Sequence, residues 1–402
     1  MAAAYEQIYK GRDLRVPAFD VKIRGKDVPA VSARDIVSVR YSDSIDKIDT
    51  FELTVNNWDA KTRDFKYTGP GRTAGKSSTL FDPGSTIELS MGYLTPTAQE
   101  HRDPSKPDPL RLMLVGVITS IAPTFPAAGQ PTLRVSGQNV LRLLQDKPNT
   151  VTFEGMTDSQ IAEKVGRNGA WKIGGIDVTV RTEANPSPKE PVHAHVLQDN
   201  QLDIVFLLQR AHVIGYDLVL KQEGTGDKTK LYLYFGPSKP TPHQKYLLQW
   251  GRSLIQFEPT LKTTHQVKKV TVRYWDGLKK EPGQVVVDRK DLTKKSLADD
   301  DILKRMEAGL ADTEDVICTQ PFRDKQAAKS YAESMMADIV KGFVTAKGST
   351  FGTPDLRAGC MVQVDGLGEI FSGHYYLTST THTIGAAGYV TEFECRLEEE
   401  NA

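Results

Sequence analysis

The sequence predicts a mainly β protein with α+β parts: two similar antiparallel β-barrel domains joined by a smaller α+β domain. The first observation is the closing segment, 354–397, where short runs alternate apolar and polar residues as half-buried strands do. The second is the same alternation through residues 1–148, with almost no helical pattern. The third is a change to helical signals in residues 149–240. Residues 241–402 then complete the second barrel, with a helix at about 325–341.

Bulk composition excludes several functional classes. A chain of 402 residues is too long for one ordinary core, so several domains are expected. A formal net charge of zero argues against sequence-independent nucleic-acid binding. No apolar run approaches the ~20 residues that span a bilayer, and the N-terminus has no signal-peptide pattern. Cys318, Cys360 and Cys395 are odd in number and widely spaced, which indicates reduced, buried thiols in a protein made in a cytoplasm.

Alternating strands follow one another through the first domain. They are predicted at Phe19–Ile23, Val37–Tyr41, Phe51–Val55, Ile87–Met91, Arg111–Ile121 and Thr132–Ser136. A tight turn, Arg24–Asp27, follows the first of them. Residues 56–81 and 95–109 are rich in Gly, Lys, Thr, Ser or Pro and are predicted to be long loops, which in compact domains tend to be functional.

The middle domain combines helices and strands. Thr157 and Asp158 precede a short capped helix that closes near Gly166 and Gly169. A stronger helix is predicted to begin at Asp199 or Asn200 and to end before Gly215. The strands Tyr216–Lys221 and Lys230–Phe235 follow, and Pro237–Pro242 forms a linker.

The last domain resumes the strand pattern. Predicted elements are strands Leu254–Phe257 and Gln266–Trp275, a short helix over Asp301–Gly309, a helix capped by Asp324 and ended by Gly342, and three closing strands at 360–364, 375–384 and 389–397. The link from Gly385 to Gly388 between the last two strands is short enough for a hairpin.

The two β regions share a pattern of glycines and strands. Gly84 precedes Ile87–Met91 as Gly359 precedes 360–364. Residues 114–121 compare with 371–378, and Leu133–Ser136 compares with Val390–Leu397 as a closing strand. Either these are an internal repeat or they are two unrelated meanders. A repeat would let a cyclic trimer present six similar barrels.

Two runs carry a resemblance to a known family. Asn200–Leu220 and Phe371–Phe393 resemble segments of phage late-control D and VgrG-type hub proteins. In those proteins Asp or Asn begins a helix that ends in Ala, then Gly and an aromatic residue, and a Gly-Tyr pair precedes the last strand. The resemblance implies a trimeric structural hub in the baseplate of a contractile phage tail or contractile injection system. Its two barrels per chain would form a six-lobed ring matching the hexameric tail tube above, with a spike below.

The implied partners are two further copies in a homotrimer, a tail tube or tube-initiator protein, a spike protein and other baseplate proteins. The resemblance also implies that the protein is made in the bacterial cytoplasm and assembled in the baseplate of a phage tail or injection particle. Because the chain stops at Ala402 directly after its last strand, we expect the hub half alone, with the spike on a separate polypeptide. Neither nucleic-acid-specific binding nor membrane insertion is expected.

Candidate chemistry is weak. His193 and His195 form an HxH pair near His212 that could bind zinc, but a solvated loop is the favoured interpretation. His374 and His382 are predicted to be ordinary strand-end histidines. Two further candidates lack their motif's required residues: Gly69–Ser77 as a phosphate loop and Asp299–Asp301 as a calcium site. No catalytic, cofactor-binding or metal residue is assigned. The alternative function is a β-rich hydrolase or carbohydrate-binding protein with a site in the middle domain.

Overall fold

The computed structural model describes residues 6–8, 16–68, 80–94, 110–139, 147–169, 172–173, 176–183, 190–223, 230–237, 246–262, 264, 266–276, 280–289, 313–318, 322 and 325–398. The protein is mainly β, with a large, mostly antiparallel sheet, and the predicted fold class is confirmed. In these residues no helix is long and apolar enough to cross a membrane.

Among the described residues, the first third of the chain contains ten strands and one short helix. They are β1 (Glu6–Gln7), β2 (Pro17–Ile23), β3 (Lys26–Asp27), α1 (Ala30–Asp35), β4 (Ile36–Ser44), β5 (Thr50–Asn56), β6 (Trp58–Asp59), β7 (Asp64–Phe65), β8 (Thr86–Tyr93), β9 (Leu110–Thr124) and β10 (Thr132–Asn139). Six of these strands form a curved antiparallel sheet in the order β2-β8-β9-β10-β5-β4, which we call the first module. Alternate side chains of these strands enclose one apolar cluster, which includes Leu53, Leu89 and Val135.

The second module uses the later strands. They are β17 (Tyr246–Gln249), β18 (Leu254–Leu261), β22 (Val344–Phe351), β23 (Met361–Asp365), β24 (Gly373–Gly385) and β25 (Gly388–Leu397), with α5 (Gly368–Phe371) before β24. Their spatial order is β17-β23-β24-β25-β22-β18. Numbered along the chain, the strands of both modules therefore lie in the order 1-4-5-6-3-2. One difference is that β17 and β23 are parallel, whereas β2 and β8 are antiparallel.

The two modules also share their irregularities. Thr119 on β9 and Thr378 on β24 each form a bulge against the next strand, and each hydroxyl donates to a carbonyl there, at 3.3 and 3.2 Å. Val37 on β4 and Ile255 on β18 are bulged against β5 and β22 in the same way. Bulges bend a strand locally, so two matching sets give the two sheets the same curvature.

Backbone hydrogen bonds extend this match to the loops before β8 and β23. Gly84, at φ 88°, donates to the Ile118 carbonyl at 2.8 Å, and Gly359, at φ 82°, donates to the Leu377 carbonyl at 2.9 Å. The predicted equivalence of Gly84 with Gly359 is therefore confirmed. The alignment of 114–121 with 371–378 was wrong by two residues, because the bulges and not the glycines set the register of β9 and β24.

Residues 148–237 form a middle block with its own apolar cluster. Its elements are β11 (Pro148–Met156), α2 (Asp158–Gly169), β12 (Lys172–Ile173), β13 (Ile176–Thr182), β14 (His193–Leu202), α3 (Asp203–Ile214), β15 (Tyr216–Glu223) and β16 (Lys230–Pro237). The predicted helix start at Asp199 or Asn200 was wrong. Asn200, at φ 46°, lies within β14, whose pairing with β11 continues to Leu202, so the helix begins at Asp203.

A further element group is inserted into the second module between β18 and β22. It comprises β19 (Lys269–Asp276), β20 (Glu281–Asp288), β21 (Glu314–Ile317) and α4 (Lys325–Lys341), and it has a separate apolar cluster around Val272 and Met336. The helix predicted at about 325–341 has those bounds. β20 was not predicted, because its first half, Glu281–Gln284, is polar or turn-like in composition. The predicted cap Asp324 and helix Asp301–Gly309 lie outside the described residues.

Candidate assembly interface

Within one chain, the two modules are joined edge to edge. β24 pairs with β25 on one side, and its other side is divided between two strands. Residues 373–376 pair with β23 of the same module, and residues 379–384 pair antiparallel with β4 of the first module. The pairs run from Ser379 opposite Ser44 to Ile384 opposite Val39. The backbone ladder therefore continues from one module into the other, and we call this contact the internal joint.

A charged pair, buried at Asp43 and half-buried at Arg357, holds the inner face of the internal joint. Asp43 on β4 is 6% exposed, and Arg357, from the loop before β23, donates from Nε to its Oδ2 at 2.7 Å. Arg357 Nη2 donates to the Tyr41 hydroxyl, and its guanidinium lies over the Tyr41 ring at 4.6 Å. The other Asp43 oxygen accepts from the Thr380 hydroxyl. The desolvated charges are thus compensated by each other and by hydrogen bonds from both modules.

His382 lies beside this pair and is fully buried. Its Nε2 donates to the Leu356 carbonyl at 3.0 Å, which leaves Nδ1 as an acceptor that lies 3.0 Å from the Tyr389 hydroxyl and 3.1 Å from the Thr391 hydroxyl. Burial, together with the nearby Arg357 charge, lowers the pKa of His382 to about 4. The imidazole is therefore neutral at neutral pH. The prediction of a strand-end histidine was wrong here, since His382 lies inside β24 and in the core of the joint.

A second carboxyl, Asp49, completes the cluster. It is 4% exposed and accepts from the Tyr41 hydroxyl at 3.1 Å. Burial, and then the negative charge of Asp43, raises the pKa of Asp49 to about 7. Asp43 and Asp49 therefore share one cation, Arg357, and only Asp43 is in direct contact with it.

The outer face of the joined sheet, away from both cores, is polar. Arg134 Nε lies 3.5 Å from Glu52 across β10 and β5, and Lys347 Nζ lies 2.7 Å from Glu394 across β22 and β25. These are equivalent strand pairs in the two modules. A groove of about 340 Å³ crosses this face next to the internal joint, and Arg40 is among its lining residues. Such a face suits contact with water or with a polar partner.

A larger cleft, of about 760 Å³, lies where the middle block and α4 meet the second module. Its lining alternates acidic residues such as Asp217 and Glu394 with basic residues such as Lys262 and Lys341. Within the described part of the chain, no group of three or more His, Cys, Asp or Glu residues could hold a metal ion.

Of the two histidines in the HxH pair, His193 makes a buried polar contact. His193 Nε2 lies 2.8 Å from the buried Asp158 Oδ2, and Arg210 Nε donates to Asp158 Oδ1 at 2.5 Å. Although burial opposes ionisation, these two hydrogen bonds lower the pKa of Asp158. His195 lies 3.4 Å from Glu154 on the paired strand. The predicted solvated loop was wrong for His193, because both histidines lie in β14 and His193 ties that strand to α2 and α3.

His212 lies in α3. His374 lies at the start of β24, the strand-end position predicted for it. Gly69–Ser77 and Asp299–Asp301 lie outside the described residues.

Solved structures share this fold over nearly the whole chain. The 43 kDa tail protein of prophage MuSo2 from Shewanella oneidensis has a TM-score of 0.64 at 14% identity, covering 94% of this chain and 98% of that one. The tail protein from Neisseria meningitidis MC58 has a TM-score of 0.61 at 13% identity, covering 95% and 97%. The E. coli c3393 protein has a TM-score of 0.54 at 13% identity, covering 94% and 77%. At these identities the likeness shows the fold.

The family comparison covers most of the sequence. The model of the Alg8 N-terminal domain matches residues 13–386. The chain belongs to the Alg8 N-terminal domain family. The description of that family does not name late-control D or VgrG-type proteins, so the resemblance to those hubs stays a prediction. No curated protein matches.

In this member of the Alg8 N-terminal domain family, the sequence alone did not reveal the internal joint. Asp43 and Arg357 are too far apart in the chain for spacing to connect them. One signal was present: alternation along β24 places Thr380 and His382 on the same face as apolar residues. Polar residues on a core face need buried partners, so these two positions could have indicated a polar contact.

Proposed function

We propose that this protein is a structural hub in the baseplate of a contractile phage tail or contractile injection system. In this proposal it forms a homotrimer that adapts a sixfold tail tube to a threefold spike. The role is geometric, and we assign it no catalytic residue.

The observation that carries the proposal is the duplicated module. Two sheets in one chain have the same strand order, and two matching bulges per sheet give them the same register. They are joined side by side through β24 and β4. Three such chains arranged around an axis would present six similar modules while retaining threefold symmetry.

The solved structures support the same class. Two are tail proteins, one of them from a prophage, and the E. coli c3393 protein is a component of the type VI secretion system with structural similarity to the T4 tail proteins gp27 and gp5. A Francisella PdpA-VgrG complex matches with a TM-score of 0.55 at 10% identity, covering 98% of this chain and 60% of that one. A VgrG-like position next to a spike is therefore the proposed setting.

The proposed partners are a tail tube or tube-initiator protein on one side of the ring, a spike protein on the other, and surrounding baseplate proteins. The polar outer face of the joined sheet is the proposed channel or tube-facing surface. We further propose the division into residues 1–148, 149–240 and 241–402, with the group β19–β21 and α4 as an insertion into the last of these.

The test is the mass and shape of the purified protein. We expect native mass spectrometry to find three chains of 44.5 kDa. Negative-stain images should show rings with six lobes around a central opening. A protein that stays monomeric at every concentration, alone and with a tube protein, would contradict the proposal, as would a ring of any other number of lobes.

A further inference from the structure

Each module has an edge that matches an edge of the other module. In the internal joint, residues 379–384 of β24 pair with β4. β24 is the fifth strand of the second module, and β4 is the second strand of the first module. The reciprocal elements are the far half of β9, beyond Thr119, and the outer side of β18. In the described part of the chain, neither of these two edges is paired with another strand.

We propose that these two edges join between neighbouring copies of this chain, in the register of the internal joint. This inference rests on the proposed ring. If modules alternate around the ring, every second contact is the internal joint, and the contacts between chains must bring β9 of one copy to β18 of the next.

The matching bulges define the register. Thr119 corresponds to Thr378, and Ile255 corresponds to Val37. Transferring the pairs of the internal joint then places Ile121 opposite Leu261 and Pro123 opposite Pro259 of the next copy. The same correspondence places Ala122 opposite Thr260 on the outer face. The equivalent pair in the internal joint is Thr381 and Ser42, whose hydroxyls hydrogen bond at 3.0 Å.

The inner face of the two edges is apolar where that of the internal joint is polar. The positions of Asp43, Thr380 and His382 are taken at the edges by Leu261, Ile121 and Pro123. Asp43, Thr380 and His382 are at most 6% exposed. Ile121 and Leu261 are only half-buried, each at the margin of its own module's core.

The residues at the end of the β9 edge also indicate a contact between copies. Ile384, which closes the internal joint, is 7% exposed and belongs to the core of the first module. Its counterpart Phe125 is 58% exposed. The transfer places Phe125 opposite Phe257, which packs at the margin of the second module's core. Two half-open apolar edges at corresponding positions are what a contact between copies would cover.

Two prolines make this contact differ from a plain strand pair. Lys262 N–H donates to the Phe343 carbonyl at 2.9 Å, so the alternate residues Leu261 and Pro259 direct their backbone outward from β18. The ladder of β10 places Pro123 outward on β9 in the same way. Without an N–H, neither proline can donate across the contact. Apolar packing therefore dominates, and the prolines also prevent the free edges from pairing with unrelated strands.

The test is a cysteine pair on the outer face. It uses a Cys318→Ser background because Cys318 is exposed, so the predicted burial was wrong for this thiol. Ala122→Cys and Thr260→Cys are both at exposed positions. At directly opposed, non-hydrogen-bonded positions their Cα atoms would lie about 4.5 Å apart, within reach of a disulfide. We expect oxidation to convert most of the protein into covalent trimers on a non-reducing gel.

The matched control combines Ala122→Cys with Glu258→Cys, two residues out of register on the same face. The diagonal separation of roughly 7–8 Å is unfavourable for a disulfide, so little cross-linking is expected. Every variant should first show the unfolding midpoint of the background protein.

The outcomes separate the two proposals. A trimer by native mass that does not cross-link through residues 122 and 260, or that prefers 122 and 258, overturns this inference and leaves the ring intact. A persistent monomer overturns both. Cross-linked species that continue beyond three chains would support the edge contact but overturn the closed trimer.

Discussion

The two modules keep one hydrogen-bonding framework and fill it with different side chains. In the first module, Phe51 lies opposite Gly137, and an added Cβ on that glycine would come within 2.3 Å of the ring. At the corresponding pair of the second module, Ala346 lies opposite Cys395. The first module thus pairs a large side chain with a glycine, and the second module pairs two small side chains at the same position. The backbone geometry is thus the shared property, and side-chain volume is balanced pair by pair.

Charge differs more than volume. Ser85 N–H donates to the Asp82 carbonyl and Cys360 N–H donates to the Arg357 carbonyl, both at 3.1 Å, so Asp82 and Arg357 occupy corresponding positions. Asp82 makes a surface ion pair with Arg24 at 3.7 Å, with side chains 38% and 53% exposed. Arg357 instead reaches into the internal joint. The same loop therefore serves as a surface turn in one module and as a connector in the other.

The largest expected effect comes from Arg357→Met. Removing the cation leaves Asp43 buried without its charged partner, and breaking such a pair costs about 3–5 kcal/mol. The free energy of unfolding from urea titration measures this. Asp82→Asn is the matched control, and because that pair is exposed we expect a loss below about 1 kcal/mol.

A double variant sharpens this prediction. Arg357→Met with Asp43→Asn removes both charges, so it should be more stable than Arg357→Met alone. Equal losses for Arg357→Met and Asp82→Asn would mean that the internal joint does not depend on the charged pair.

The second prediction breaks the balance of volumes. Gly137→Ala brings a Cβ within 2.2 Å of the Val117 carbonyl and 2.3 Å of Phe51, and overpacking of this kind costs up to about 3 kcal/mol. Phe51→Leu should recover only part of the loss, because the carbonyl remains. Ser136→Ala, one residue earlier and half-buried, should change the free energy of unfolding little. Full recovery by Phe51→Leu would show that the backbone contact is unimportant.

Period-two alternation predicted most strands of both modules, because a strand with one buried and one solvent-exposed face alternates apolar and polar residues. It did not predict β17 or β22 of the second module. It also missed β20, whose first half, Glu281–Gln284, shows no such alternation, and the capping signal placed the start of α3 too early. At Asn200 the pairing with β11 outweighs the local helical preference of the chain.

The internal joint was less predictable than the strands. The glycine correspondence between Gly84 and Gly359 could be found in the sequence, because positive φ restricts those positions largely to glycine. The bulges at Thr119 and Thr378 could not, because the extra residue depends on the neighbouring strand. The contact of Asp43 with Arg357 depends on how two modules meet, and local patterns carry no record of it.

Two buried groups of the internal joint make stability depend on pH in opposite directions. The pKa of His382 is lowered from 6.5 to about 4, so its contribution is present above pH 6.5 and is lost as the pH falls toward 4. The pKa of Asp49 is raised from 3.8 to about 7, so its contribution is present below pH 3.8 and is lost as the pH rises toward 7. The wild-type profile alone therefore isolates neither group.

The smallest expected effect is that of His382→Gln, measured as a difference from the wild type. Glutamine keeps one donor for the Leu356 carbonyl and one acceptor for the Tyr389 and Thr391 hydroxyls, but it does not titrate. Between pH 7 and pH 5 the wild type should lose roughly 2 kcal/mol relative to the variant, from the linkage of a pKa moved from 6.5 to about 4. Urea titrations at both pH values measure the difference, and the Asp49 contribution, common to both proteins, cancels. A gap that stays constant with pH would mean that His382 is not held neutral by burial. The polar side chains of the internal joint would then be better solvated than their burial indicates.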